Sequence, residues 1–343
     1  MVAAPMAGGA STPLLVSTVS EAGGLGFLAG GYKTAESIDK EIAAVRESTN
    51  APFGVNLFVP WFPMRDLSSE KLEVRARSVE KYALAIAEEA ERVGVGTGIS
   101  RPMDDDEWSQ KIDVLVAARC PIVSFTFGVP PADVVERLRA VGSLIVVTVT
   151  NKEEAIAAHG ADALCVQGPE AGGHRGTHDP FRSPGEASLV ELLHDLREIG
   201  VPLIAAGGIS REAHARAALG AGATSVQCGT LFIRSPESGA NEHHKSALAA
   251  PWAKRTVLTR AFSGRFARGI ENSFIRAHGA SAPPAYPEVN QLTQPLRAAA
   301  ARAGDPDRMA LWAGTGYRDA EVRPASDIVT LLRTWTSDCR LFL

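Results

Sequence analysis

The stretch Ala163-Leu-Cys-Val-Gln-Gly-Pro-Glu-Ala-Gly-Gly-His-Arg-Gly176 decides the fold of this 343-residue chain. Its first five residues form an apolar run with the length of a buried β-strand. The glycines that follow carry no Cβ, so the backbone there can pass close to a bound molecule. A histidine, His174, comes directly after the paired glycines. A buried strand that ends in a glycine-rich loop with one titratable side chain predicts an active-site loop.

Short apolar runs of the same kind recur along the chain and alternate with helical patterns. They lie at residues 2–4, 25–29, 53–58, 122–127, 144–149, 163–167, 203–206 and 225–228. Eight strands that alternate with helices predict an α/β fold, a closed (β/α)8 TIM barrel. Asn151 and Ser210 stand at the expected starts of two of the helices. The first strand is short, which we interpret either as missing upstream residues or as a frayed start of the barrel.

The composition changes after Thr230 and predicts three regions. Residues 236–310 are rich in proline, glycine, alanine and arginine, with a turn or linker at 283–287. We interpret residues 1–235 as the barrel and residues 236–310 as a smaller, mostly helical substrate or lid domain over its mouth. Residues 311–343 are then a C-terminal segment that packs back on the barrel.

Composition and charge argue against several classes of function. The net charge is only -4 and no basic stripe is present, so no nucleic-acid partner is expected. No apolar run is long enough for a membrane span, and the start of the chain lacks a signal-peptide pattern, so a cytoplasmic location is expected. The four cysteines are far apart and form no metal-ligand spacing, which argues against a disulfide framework and a metal site. They are Cys120, Cys165, Cys228 and Cys339.

Two glycine-rich loops predict a phosphate site. In (β/α)8 barrels the active site lies at the carboxyl ends of the strands, and phosphate often binds after strands seven and eight. Gly207-Gly208 and Gly229-Thr230 occupy these places, and their backbone amides suit a phosphate monoester. The alternative is that these glycines only form tight turns. One phosphate site, rather than two, favours FMN over FAD or NAD as the cofactor.

Three amide side chains at strand ends point to a flat heterocycle. Asn56, Gln167 and Gln227 lie in or at the end of predicted barrel strands. A buried amide needs a hydrogen-bond partner, which is either backbone or the ring N–H and carbonyl groups of a ligand. Three of them at one mouth favour a flavin. Pro5 and Met6, after the first strand, would contact the edge of the ring.

His174 is the predicted catalytic base. Neutral imidazole titrates near working pH and can accept a proton from an acidic carbon. The alternative is a histidine that only completes a turn. Arg265 and Arg268 could contact anionic groups at the mouth or form salt bridges within the lid. The acidic run 104–106 is interpreted as a helix-start feature.

Taken together, these segments resemble the nitronate monooxygenase family, formerly called 2-nitropropane dioxygenase, and its class I branch in particular. The resemblance runs over nearly the whole chain. The order and spacing of the matching segments make it specific: 4–13, 22–26, 55–58, 123–128, 167–176, 205–208, 226–230, 263–269 and 312–314.

The resemblance implies an FMN-dependent barrel enzyme with a small helical substrate domain. Such enzymes oxidise alkyl nitronates with dioxygen and release nitrite and a carbonyl compound, and toxic propionate 3-nitronate is the usual substrate proposed for the class. The catalytic histidine would be His174. The implied FMN contacts are Asn56, Gln167, Gly172, Gly208, Gln227, Cys228, Gly229 and Thr230. A small-molecule nitronate and O2 would be the partners, and a homodimer is left open.

The lid departs from the family pattern in part. Tyr286 is kept, but Asn290 and Gln294 stand where some class I members have a second tyrosine and a lysine.

Three other functions use a similar barrel or site. Flavin-dependent enoyl-acyl-carrier-protein reductases share a Glu-Ala-Gly-Gly-His stretch, and an NADH:quinone reductase or a non-catalytic FMN-binding protein are further alternatives. Arg175 and the segment 124–128 favour the monooxygenase, and His174 argues against a non-catalytic protein.

Overall fold

Eight parallel strands form a closed barrel, which confirms the fold class predicted from the sequence. The protein is described by a computed structural model over residues 1–61 and 67–337. The strands of this part of the chain are β1 (Val2–Ala3), β2 (Phe27–Ala29), β3 (Gly54–Phe58), β4 (Ile122–Thr126), β5 (Leu144–Val149), β6 (Ala163–Gln167), β7 (Gly173–His174), β8 (Leu203–Ala206), β9 (Ser225–Cys228), β10 (Thr256–Thr259) and β11 (Ala267–Ile270).

The barrel sheet has the order β1-β9-β8-β6-β5-β4-β3-β2, and every pairing in it is parallel. Its two end strands meet as well, because the N–H of Ala3 donates to the carbonyl of Leu25 at 2.9 Å. Val2 and Leu25 form the parallel bridge at this seam. The sheet therefore has no open edge along its length.

Side chains on both faces of the barrel strands are buried. On β6, Leu164 and Val166 point outward into the layer between strands and helices, while Cys165 points inward and packs with Val146 and Ala206. Strands covered on both faces read as continuous apolar runs rather than as alternating ones. This is why the sequence shows all eight barrel strands as short hydrophobic runs.

Helices surround the barrel and cover its mouth. They are α1 (Pro13–Glu21), α2 (Ala35–Ser48), α3 (Ser69–Arg92), α4 (Trp108–Ala117), α5 (Ala132–Ala140), α6 (Lys152–Ala157), α7 (Leu189–Leu196), α8 (Glu212–Gly220), α9 (Thr230–Ile233), α10 (Glu242–Ala247), α11 (Ser273–His278), α12 (Glu288–Ala303), α13 (Ala325–Ser337) and a short 3-10 helix (Tyr317–Asp319). None of the helices described combines the length and hydropathy that a bilayer crossing requires.

The two predicted helix starts have different outcomes. Asn151 is the N-cap of α6 and accepts the N–H of Glu154 at 2.9 Å, as expected. Ser210 is not a cap: α8 begins at Glu212 after an N-cap at Arg211. The Ser210 hydroxyl instead donates to Asp319 at 2.7 Å. A distant carboxylate therefore takes the hydroxyl that the local pattern assigned to the helix.

The chain between β9 and α13 contains strands as well as helices. β10 and β11 pair with β7 in a second, antiparallel sheet. Helix α12 shares an apolar cluster with α3, in which Leu292 and Leu296 pack with Tyr82 and Ile86. An element from residues 1–235 thus belongs to the covering layer, and the division into three regions stays a prediction.

A buried ion pair joins α3 to α12. The guanidinium of Arg75 contacts the Glu288 carboxylate at 2.6 and 2.7 Å, and the two side chains are 9% and 1% exposed. Arg75 also donates to the carbonyl of Tyr286 at 2.9 Å. The pair therefore fixes the chain segment that carries Tyr286.

We expect Glu288→Ala to lower the free energy of unfolding by about 3–5 kcal/mol, because it leaves a buried guanidinium without its partner. Urea unfolding followed by circular dichroism measures this. Glu36→Ala, which breaks the exposed Lys40–Glu36 pair, is the matched control and should cost about 0.5 kcal/mol. Equal losses in the two variants would contradict the assignment.

Candidate active site

A cavity of about 550 Å³ lies at the carboxyl ends of the barrel strands. A volume of this size suits a cofactor or a drug-sized molecule. The structure places all eleven residues singled out from the sequence around it: Pro5, Met6, Asn56, Gln167, Gly172, His174, Gly208, Gln227, Cys228, Gly229 and Thr230.

Three small-residue loops form one end of the cavity. Gly207 and Gly208 have φ of +117° and +67°, a backbone region that favours glycine. Thr230 accepts the N–H of Gly314 at 3.0 Å, which leaves its hydroxyl proton available to a ligand. The third loop, 314–316, was not predicted as part of the phosphate site. Backbone amides and a hydroxyl are the groups that bind phosphate, so this end of the cavity suits a phosphate monoester.

The two glycines predicted to approach the ligand differ in what surrounds them. A Cβ on Gly172 would lie 2.5 Å from the N atom of Gly314, so the backbone of the neighbouring segment leaves no room for a side chain at this position. A Cβ on Gly229 would meet only side chains, at 3.3 Å from Ala4 and 3.6 Å from the sulfur of Met6. Gly229 is therefore the better probe of the ligand cavity.

The three amides have different partners. Asn56 donates to the hydroxyls of Ser124 and Thr126 at 2.9 and 3.1 Å, and Gln227 donates to the sulfur of Cys165 at 3.3 Å. These weak or local partners leave their carbonyl oxygens to a ligand in the cavity.

Gln167 instead holds the next segment of backbone. Its Nε2 donates to the carbonyl of His174 at 3.0 Å, and its Oε1 accepts the N–H of Gly176 at 2.8 Å. The Gln167 amide thus positions the histidine-bearing strand. Cys228 contributes through its main chain, since its buried thiol donates to the Ile209 carbonyl at 3.4 Å.

His174 lies on strand β7 rather than in a loop. Its partner across the antiparallel pair is Ala267 of β11. The ring Nε2 is 2.8 Å from the hydroxyl of Ser263, and the rings of Phe127 and Trp312 both lie 5.7 Å away. Ser263 is the first residue of the family-like segment 263–269, but the sequence did not show that it contacts His174.

The surroundings of His174 keep it neutral. Burial first of all, together with the positive charges of Arg265 and Arg297, lowers the pKa of the imidazole from 6.5 to about 3. A neutral imidazole at all ordinary pH values is the form that can accept a proton.

The two lid arginines do not form the salt bridges that the sequence left open. Arg265 is buried, donates to the Thr177 carbonyl at 2.8 Å, and lies 4.0 Å from the centroid of the Phe127 ring. Arg268 donates to the Pro169 carbonyl at 2.8 Å. Neither reaches a carboxylate in the described part of the chain within salt-bridge distance.

The acidic run has a role that the sequence did not indicate. Asp106 accepts the N–H of Tyr32 at 3.1 Å and pairs with buried Lys111 at 2.8 Å. Helix α4 begins at Trp108 without a side-chain cap. Asp106 thereby holds Tyr32, whose φ is +67°, in the wall of the cavity. Burial raises the pKa of the Asp106 carboxyl to about 6.

No group of three or more histidine, cysteine, aspartate or glutamate side chains that could hold a metal occurs within residues 1–61 and 67–337. Cys120, Cys165 and Cys228 are free and buried, and Cys339 lies outside the described residues.

Comparison with known proteins extends over nearly the full chain. A sequence profile of the family described as nitronate monooxygenase matches residues 1–334. A probable nitronate monooxygenase of Staphylococcus aureus strain Newman is 36% identical over 333 residues, covering 94% of this chain and 90% of that protein.

Two solved structures are also similar to this chain over nearly its whole length. A nitroalkane oxidase from Streptomyces ansochromogenes superposes with a TM-score of 0.90 at 47% identity, covering 99% of this chain and 96% of that chain. FabK from Thermotoga maritima superposes with a TM-score of 0.73 at 25% identity, covering 99% and 93%.

Buried neutral histidines predict sensitivity to acid. His244 also lines the cavity, bonds through Nε2 to the Trp312 carbonyl at 3.0 Å, and has its pKa lowered by burial to about 4. In the unfolded chain His244 takes up a proton below about pH 6.5, whereas in the folded protein it stays neutral down to about pH 4. The free energy of unfolding should therefore fall as pH drops through this window, by at most about 1.4 kcal/mol per pH unit for each such histidine.

Urea unfolding of wild type and His244→Gln at pH 7, 6 and 5 measures this slope. The variant should lose stability less steeply than wild type, while His159→Gln, at an exposed position, should follow wild type. Parallel slopes for wild type and His244→Gln would show that His244 titrates alike in both states.

Proposed function

The chain belongs to the nitronate monooxygenase family, and from this we propose that it oxidises alkyl nitronates with dioxygen in an FMN-dependent reaction that releases nitrite and a carbonyl compound. As a member it is a flavin-dependent oxidoreductase. The observation that carries the proposal is a neutral histidine, His174, at the wall of a cavity that also has a phosphate-type loop end.

We propose that FMN occupies the cavity. Gly208, Gly229 and Thr230 would hold its phosphate, and Asn56 and Gln227 would contact the ring. Pro5 and Met6 would lie at the ring edge. When bound, FMN accepts electrons from the substrate and passes them to dioxygen. The single small-residue end of the cavity supports one phosphate rather than the two of FAD.

The covering layer would form the substrate side of the site. Asn290, Gln294 and Arg297 of α12 line the cavity together with Trp312. This supports the interpretation of residues 236–310 as a substrate or lid domain. Ile328 and Leu332 of α13 pack in the core cluster of the barrel, which supports a return of the last segment, 311–343, to the barrel; residues 338–343 lie outside the described part of the chain. Aromatic rings around His174 would exclude water from the reacting carbon.

His174 would act as base when the substrate is a neutral nitroalkane. Such a compound must lose a proton from its α-carbon, whereas a nitronate is already an anion. The Ser263 hydroxyl accepts the N–H of Arg265 at 3.3 Å and lies 2.8 Å from Nε2. If the Nε2–H donates to Ser263, Nδ1 is the free base. The 47% identity to a nitroalkane oxidase supports a neutral nitroalkane as a further substrate.

The alternative is an enoyl-acyl-carrier-protein reductase or an NADH:quinone reductase of the same barrel family. The similarity to FabK keeps a reductase in consideration. Oxygen uptake with propionate 3-nitronate, compared with NADH oxidation in the presence of a quinone, distinguishes these functions. NADH oxidation without nitronate turnover would refute the proposed one.

We expect Gly229→Val to lose FMN while the barrel stays folded, because Gly229 lines the cavity next to Thr230 and the added side chain, placed against Ala4 and Met6, takes up space that the ligand needs. The ratio of visible to ultraviolet absorbance of the purified protein measures flavin occupancy, and circular dichroism measures folding. Gly96→Val is the control, since Gly96 is exposed and nothing lies near its Cβ position. Full occupancy in Gly229→Val, or released cofactor that is FAD, would contradict the assignment.

We expect His174→Asn to keep FMN and part of its nitronate activity, but to lose about 10²–10⁴-fold in turnover of neutral nitroalkanes. Only the second reaction needs a base. In the wild type, nitroalkane turnover should persist below pH 6 and decline toward the His174 pKa of about 3, because protonation removes the base. An equal, small loss on both substrates would make His174 a structural residue.

A further inference from the structure

The cavity contains one permanently charged side chain among the described residues that line it. That residue is Arg297 of α12, and no aspartate or glutamate lines the cavity there. The remaining polar groups are neutral amides, hydroxyls and the neutral imidazoles of His174 and His244. A cavity with a single positive charge and no negative one selects anions.

Arg297 is half-buried and lacks the carboxylate partner that compensates a guanidinium withdrawn from water. Its Nη2 donates to the Asn290 carbonyl oxygen at 3.0 Å and to the Asn290 side-chain oxygen at 2.7 Å. Its Nε is buried without a hydrogen-bond partner, and no carboxylate of the described chain pairs with it. Burial of a cation is costly unless an anion compensates it.

Arg297 lies on the His174 side of the cavity. Its charge acts on His174 and on the phenols of Tyr32 and Tyr286. Tyr286, just before α12, lies 6.4 Å from the His174 ring, and Asn290, in the first turn of α12, accepts the Arg297 Nη2–H at 2.7 Å. The phosphate end is formed by the loops 207–208, 229–230 and 314–316. The anion expected at Arg297 is therefore a group other than the phosphate.

We propose that Arg297 binds the two oxygens of the substrate's nitro or nitronate group. This rests on the proposed function and specifies how its substrate is recognised. In a nitroalkane, His174 takes the α-proton, and the electron pair of the broken C–H bond forms the C=N bond. The charge moves onto the two oxygens, where the guanidinium can stabilise it through its positive charge and through donors other than Nη2, among them the unpartnered Nε–H.

The test uses the flavin-loaded enzyme and nitrate, a planar oxyanion that resembles a nitro group and is not oxidised. Its dissociation constant is read from the perturbed visible spectrum of the flavin. R297Q should weaken nitrate binding by about 10–100-fold, the loss of a charged hydrogen-bonding partner. R297K, which keeps the positive charge but not the planar guanidinium donors, should show a smaller loss of nitrate affinity. R302Q on the exposed face of α12 should bind as wild type.

Steady-state kinetics then locate the anion. With R297Q, KM should rise by a similar factor for ethyl nitronate, which has no other charge, and for propionate 3-nitronate. A loss confined to propionate 3-nitronate would assign Arg297 to the remote carboxylate and overturn the proposal. Loss of FMN from R297Q and R297K, but not R302Q, would assign it to the phosphate and also overturn it.

Unchanged nitrate binding in R297Q or R297K would refute the proposal whatever the enzyme oxidises. If R297Q fails to fold, R297K carries the same measurement. If the wild type binds nitrate through Arg297 but does not turn over nitronates, the proposed function fails and the anion site stands.

Discussion

The site depends on a two-residue strand, β7, whose backbone pairs with β11. Gly173 and His174 form a strand with Ala267 and Arg268, and the N–H of Arg175 continues the pairing to the Phe266 carbonyl at 2.8 Å. This sheet joins the loop after β6 to the layer that covers the barrel. Because the histidine is fixed by backbone on one side and by the Gln167 amide on the other, its ring has a set direction into the cavity.

The same junction explains the glycines next to the histidine. The 312–316 segment pairs with β11 through the antiparallel bridge between Gly269 and Trp312, and it passes within 2.5 Å of where a Gly172 Cβ would stand. It also brings the Gly314 N–H to Thr230 at the phosphate end. One stretch of chain therefore connects the histidine, the aromatic wall and the phosphate loops, so that both ends of the cavity depend on the same backbone.

Electrostatics set the chemistry that this geometry allows. Burial keeps the imidazole of His174 neutral, while the cavity carries a single cation and no carboxylate among the residues described. Two nearby carboxylates are paired outside the cavity: Asp106 with Lys111 and the Tyr32 backbone, and Glu288 with Arg75. Glu170, beside the Gly208 loop, does not line the cavity, and its buried Oε2 has no hydrogen-bond partner among the described residues. These buried pairs place Tyr32 and Tyr286 in the wall and keep negative charge away from an anionic substrate.

The sequence by itself determined the eight barrel strands and the residues around the cavity. Strands buried on both faces are local apolar runs, and glycines or amides at their ends converge because the carboxyl ends of parallel strands meet at one mouth. Tertiary structure alone decided the pairing of β7 with β11, the contact of His174 with Ser263 and the packing of α3 on α12. It also decided the surroundings of Asp106 and Arg297. Each of these joins residues far apart in the chain or depends on burial, and neither distance in space nor loss of solvent is written in a local pattern.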